Sequence, residues 1–268
     1  MDHKEVGHIW DQNAENWTKL VRMGCDLYRD YVNTPAFMKI LPDVKGLRGL
    51  DVGCGEGHNT RLVAQRGARM AAVEISSVFL KHAREAEGQE ALGIDYQLAS
   101  AVELPFEESI FDFVMATMSL MDVPETKKAV QEMWRVVKPG GFVQFSISHP
   151  CFSTPKWDWE CDAEGHRVAL KCGDYFERLN GDVVEWIFGA TPPDLRQKLP
   201  KFRIPVFTRT LSEWLNLFID TGFVLEQFVE PKADDETVKR YPSLADTQVI
   251  AYFLIVRCRK PADVSCRA

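Results

Sequence analysis

Apolar and polar positions along the chain switch period several times, and each switch marks an element. Residues 1 to 45 place apolar and aromatic side chains at helical spacing (Ile9, Trp10, Ala14, Trp17, Leu20, Val21), with Pro35 and Pro42 interrupting. Short apolar runs then alternate with amphipathic stretches. The pattern predicts strands at 48–52, 69–75, 95–99, 111–117 and 142–148, and helices at 58–66, 77–87 and 125–138. Strands alternating with helices of this length imply βαβ crossovers, hence a parallel sheet covered on both faces. From Pro150 to about Pro205 the alternation stops, and a proline-rich segment carries Trp157, Trp159, Tyr175, Phe176, Trp186 and Phe188. It reads as an insertion. "TLSEWLNLFIDT" then predicts a helix at 210–221 stopped by Gly222. "FVLEQFVE" and "TQVIAYFLIVRCR" follow as two strands with no helix between, which favours antiparallel pairing.

Composition narrows the class. In 268 residues, 46% are hydrophobic and 26% charged, the balance of an ordinary globular protein. The formal net charge of −7, without a clustered Lys/Arg run, argues against a nucleic-acid partner. No apolar run of 18 residues is present, so no membrane span is expected. Seven cysteines at irregular spacing, with no CxxC pair, suggest a reducing compartment, and the expected location is cytoplasmic.

The chemistry starts at "LDVGCGEG". Gly53, Gly55 and Gly57 fall between a strand and a helix, where bare backbone and free helical N–H groups suit a nucleotide-type ligand. A P-loop would need Lys after the glycines, and none follows. The dinucleotide fingerprint GxGxxG would need glycine at 58, where His58 stands. Glu74 ends the next strand, near the twenty-residue offset at which an acid accepts ribose hydroxyls.

This spacing resembles the first motif of class I S-adenosylmethionine (SAM)-dependent methyltransferases. "LASAVELPFEESIFDFV" and "EMWRVVKPGGFVQFS" resemble the same family further along, densely over 48–148 and more loosely at the C-terminal helix and hairpin. The resemblance implies an α/β, doubly wound, Rossmann-like, mostly parallel seven-stranded sheet with an antiparallel C-terminal hairpin strand. It further implies one domain: an N-terminal helical lid (1–45), a SAM-binding core (46–149), a substrate-cap insertion (150–207) and a C-terminal helix and hairpin (208–260). SAM is the implied cofactor. Asp51, Gly53, Cys54, Gly55 and Gly57 would form its cradle, with Asp51 organising the methionine end. Glu74 would grip the ribose and Ile75 pack on the adenine. Ser100 stands where the family usually has Asp, leaving Ala101 to offer its N–H, and Thr117 and Met118 would meet the methionine moiety.

On the acceptor side, His149 follows the fifth strand in "FSISHPCF", at the carboxyl edge where such folds place their chemistry, and is a candidate general base. Asp122, in "SLMDVPE", is a second candidate; helix capping is its competing role. A sulfonium favours aromatic faces, which draws in Trp10, Trp17 and Tyr28, and Arg22 and Arg29 are placed to meet the cofactor carboxylate. Cys151 after Pro150 suggests a cytosine-methylating nucleophile, a reading the charge opposes. His149, Cys151, Cys161, His166 and Cys172 lack zinc-ligand spacing, so no metal is expected.

The expected function is methyl transfer by in-line displacement to an O or N acceptor on a small molecule. The alternatives are non-methylating chemistry in the same pocket, such as cyclisation, or a non-catalytic SAM-binding protein. Oligomeric state is not legible in the sequence.

Overall fold

The structure, a computed structural model, describes residues 1–262. Helix α1 (His3–Arg22) starts at a capping box in which Asp2 accepts from the Lys4 and Glu5 N–H groups while the Glu5 side chain returns to the Asp2 N–H. A π-turn (Arg29–Asn33) runs directly into α2 (Thr34–Ile40). The core follows as β1 (Arg48–Val52), α3 (His58–Gln65), β2 (Arg69–Glu74), α4 (Ser77–Gln89), β3 (Asp95–Leu98), β4 (Phe111–Thr117), α5 (Thr126–Val136) and β5 (Val137–Ser148). These elements match the periodicity within a few residues.

The insertion is two antiparallel hairpins, β6 (Lys156–Cys161) with β7 (Arg167–Gly173) and β8 (Asn180–Trp186) with β9 (Phe202–Phe207), with short helix α6 (Pro193–Lys198) inside the second. After α7 (Leu211–Thr221) come β10 (Val224–Val229), α8 (Asp235–Arg240), a 3₁₀ segment (Pro242–Gln248) and β11 (Phe253–Arg259). The final strand is therefore shorter than its apolar run predicts. "TQVIAY" is held by Asp246, whose main-chain oxygen accepts from the Val249 and Ile250 N–H groups, and it touches the ladder only through the Tyr252 carbonyl, which accepts from the His149 N–H at 2.9 Å.

The seven strands order as β10-β11-β5-β4-β1-β2-β3. Strands β1 to β5 are parallel, and β11 lies antiparallel between β5 and β10. Alternation along each strand feeds two cores. Leu50, Val52, Val114, Ala116, Phe145 and Ile147 pack on α5 and α7. Phe113, Met115, Ala72, Phe142 and Ile255 pack on α2, α3 and α4. Gly49 belongs to the second face for a steric reason: a Cβ there would lie 2.2 Å from the Phe113 ring, which itself stacks on Phe142 at 5.3 Å.

Strand order reverses beside β1, between β4 and β2. In open α/β sheets such a switch point opens a crevice at the carboxyl ends of the strands. Here α1, the insertion hairpins and the 242–253 segment roof it over, enclosing a cavity of about 1280 Å³.

Candidate active site

The turn from β1 to α3 forms the cavity floor. Gly53 has φ +76°, and a Cβ would fall 2.5 Å from that of Ser119, whose hydroxyl donates to the Val52 carbonyl at 2.7 Å. Gly53 thus lets the loop after β4 close over β1. Gly55, with φ +56°, meets nothing within 4 Å in the direction of its absent Cβ, and it lines the cavity together with Gly53 and Cys54. Gly57 differs. It sits outside the cavity lining against the Tyr96 hydroxyl, so it serves the seating of α3, a correction to its expected place in the cradle.

Glu74 closes the floor from the end of β2. Its carboxylate accepts from the Gly55 and Ser76 N–H groups, each at 2.9 Å, which fixes its orientation and leaves each oxygen a free lone pair. It is 7% exposed, at the cavity wall. Burial raises its pKa against the lowering effect of those N–H groups. Asp51 lies beneath the loop, outside the lining. One oxygen accepts from Thr60 Oγ1 at 2.6 Å, the other has no partner among the described residues, and burial pushes its carboxyl up to about 7. Its visible role is to hold α3 against β1 through Thr60.

Ile75, Ser100, Ala101, Thr117 and Met118 all reach the lining. Ile75 is pressed from above by α1 at Gly7, where a Cβ would come within 2.9 Å of it. Met118 adopts φ +53°, a conformation that costs about 1–3 kcal/mol and that clusters at functional sites. Its N–H is shared between the Ser146 carbonyl (2.9 Å) and hydroxyl (3.2 Å), and that hydroxyl also takes the Asn33 amide at 3.2 Å. The lid is thereby tied to the end of β4.

The two catalytic candidates part company. Asp122 lines the cavity, its carboxyl takes part in no hydrogen bond with the described residues, and burial, with Glu74 nearby, raises its pKa well above the carboxylate range. It does not cap α5, which has no side-chain cap. His149 is turned away. It is 3% exposed and outside the lining; its Nδ1 accepts from the Cys151 N–H at 3.2 Å, so Nε2 carries the proton to Glu230 at 2.7 Å. With both ring nitrogens engaged it is a structural turn histidine, and the expected general base is corrected accordingly.

Trp10, Trp17, Tyr28 and Arg29 line the cavity, while Arg22 does not. Trp17 is chiefly a packing residue, with Phe188 and Phe202 both 4.8 Å away in the core that joins lid to insertion. Arg29 pairs with Asp30 and Glu56 beside the glycine loop. Sequence reasoning missed a buried node on the opposite wall. Asp246 accepts from Tyr28 (2.8 Å), Tyr252 (2.7 Å) and Arg167 (2.5 Å), joining lid, insertion and C-terminal segment. No motif announces it, because the node draws on three separate stretches of chain.

Comparison with known proteins bears on the same region. A family model described as a methyltransferase domain matches residues 50–145. Demethylmenaquinone methyltransferase of Renibacterium salmoninarum is 38% identical over 110 residues, 41% of this chain and 45% of that one. The match therefore spans less than half of that relative's length. An S-adenosylmethionine-dependent methyltransferase structure from Mesorhizobium loti superposes with TM-score 0.67 at 29% identity, covering 84% of this chain and 96% of that one. Residues 50–145 thus belong to the methyltransferase domain family, and the fold around them is that of class I S-adenosylmethionine-dependent methyltransferases. The [4+2]-cyclase SpnF shares the fold alone, at TM-score 0.65 and 17% identity over 98% of both chains.

The residues present fit the cofactor of that family. Gly55 offers an open backbone face, Glu74 keeps lone pairs for a diol, and Glu74 and Asp122 are carboxyls whose charge burial disfavours and a neighbouring cation would favour. Trp10 and Phe79, 6.1 Å apart and both in the lining, add aromatic surface on the same side.

Proposed function

We propose that the chain transfers the methyl group of SAM to an oxygen or nitrogen of a small-molecule acceptor. The observation that carries this reading is the single cavity of about 1280 Å³ shared by the Glu74 floor and the aromatic underside of the insertion. Pockets for one small ligand run to roughly 300–1,000 Å³, so this one has room for a donor and an acceptor together.

SAM, when bound, supplies an electrophilic methyl carbon on a cationic sulfur. The chain's own part is to hold and orient. Glu74 and the Gly53–Gly55 backbone hold the nucleoside end, and Ile75 and Ser100 bound the base. Hairpin β8–β9 and α1 exclude water, and positioning of this kind supplies up to about 7–11 kcal/mol of a displacement barrier. Asp122 is the group placed to take the acceptor's proton: it lines the cavity, carries no competing hydrogen bond, and becomes a base when a cation beside it favours its ionised form.

Incubation with methyl-labelled SAM and a metabolite extract, read by mass spectrometry, tests the reading. A labelled small molecule should appear together with an equal amount of S-adenosylhomocysteine (SAH). The full-length likeness to a cyclase gives the second reading. Substrate converted without SAH would favour that one, and cofactor binding with no conversion would leave a sensor.

A further inference from the structure

Three arginines line the cavity, and two are neutralised: Arg29 by Asp30 and Glu56, Arg167 by Asp246. Arg209 is different. It stands between β9 and α7, just before a capping box that consumes the acid closest to it in sequence. Glu213 accepts from the Thr210 N–H (2.8 Å), the Thr210 hydroxyl (3.1 Å) and Arg178 (2.6 Å to each oxygen). Arg209 is left with one hydrogen bond, Nη2 to the Pro124 carbonyl at 3.2 Å, and a cation–π contact to Trp214 with Cζ 5.5 Å from the ring centre. Its Nη1 is enclosed with no partner among the described residues, and burial lowers its pKa from the guanidinium range.

A guanidinium has five N–H donors, and withdrawing its charge from water without a counter-charge is strongly unfavourable. The location gives the imbalance a use. Pro124 lies two residues beyond Asp122 on the loop after β4, so Arg209 is anchored to the loop that carries the candidate base. Among the described lining residues no lysine offers an alternative cation. A planar fork of donors matches a carboxylate, which it binds through two parallel hydrogen bonds.

We propose that Arg209 is the anion-binding residue of the acceptor site and that the acceptor carries a carboxylate. The proposal rests on reading the cavity as a methyl-transfer site. It assigns the substrate class as an organic acid with an apolar or aromatic body, the body lying against the insertion's aromatic side chains.

Phenylacetate and its neutral isostere phenylacetamide, titrated against the whole protein with and without SAH and followed by tryptophan fluorescence, test it. Phenylacetate should bind at least tenfold more tightly. R209Q should erase that preference while leaving SAH binding unchanged, and R209K should keep part of it. R209Q should also melt no lower than the wild type, since it removes an unpaired charge, whereas a purely structural Arg209 would make it melt lower. Equal binding of the two probes to the wild type, or an undiminished preference in R209Q, overturns the proposal. So does phenyl phosphate binding in preference to phenylacetate. Should R209Q not fold, the wild-type comparison and R209K still decide. If SAH fails to bind while the carboxylate preference holds, the methyl-transfer reading falls and the anion site stands.

Discussion

Burial acts on the Asp51 carboxyl to push it up to about 7, and the same cause raises Glu74. An unfolded aspartate titrates near 3.9, so the folded chain binds more protons than the unfolded one between the two values. The stability that neutral Asp51 contributes is complete below the unfolded value and is lost as pH rises through about 7. The cofactor-free protein should therefore melt lower at about pH 8 than at about pH 5, and Asp51→Asn should shrink that difference. A melting temperature that holds or rises over this range in the wild type would contradict the assignment. At this scale the sequence was legible where spacing carries the information. Glu74 follows the glycine loop at a fixed offset because one crossover separates the ends of two neighbouring parallel strands. His149 was not legible, because its facing is settled by Glu230, 81 residues further on. Arg209 was invisible for a related reason: its character comes from what Glu213 has already bonded.

Between elements, the lid and the insertion meet through Asn13. This amide in α1 is 4% exposed and donates to the Arg203 carbonyl (2.7 Å) while accepting the Arg203 N–H (3.0 Å), so it stands in for a neighbouring strand along β9. Asn13→Ala leaves both main-chain groups without their partner, a loss of about 1–3 kcal/mol. Its melting temperature should fall, and limited proteolysis should cut within 150–207 faster than in the wild type. Unchanged melting and cleavage would mean the lid is held elsewhere. Strands β1 and β4 were readable as short apolar runs because both of their faces are buried, and α7 because burial on one face imposes period 3.6. The β6–β7 hairpin was not: Trp157 is 57% exposed, both its strands are open to solvent, and no alternation is imposed. The segment before Phe253 misled in the opposite direction. Its apolar side chains satisfy a strand pattern, but Leu244 and Ile250 are buried from a 3₁₀ turn and the loop after it.

For the molecule as a whole, a two-faced sheet supplies a rigid floor and three separate chain segments supply the roof. Asp246 holds that roof together, drawing Tyr28 from the lid, Arg167 from the insertion and Tyr252 from the C-terminal segment onto one carboxylate. Burial and that carboxylate raise both tyrosine pKa values, so the hydroxyls remain donors over any working pH. The floor was legible in the sequence because its motifs are local. The roof was not, because the contacts that bring lid and insertion to Asp246 span 218 and 79 residues. The central claim is that the glycine loop and Glu74 together clasp an adenosyl cofactor. Isothermal titration of SAH against the wild type and Glu74→Ala measures this directly. The account predicts binding to the wild type and a loss of roughly tenfold or more, ~1.4 kcal/mol at least, in a variant that still folds. Absence of heat with the wild type, or equal affinity in the two proteins, would contradict it.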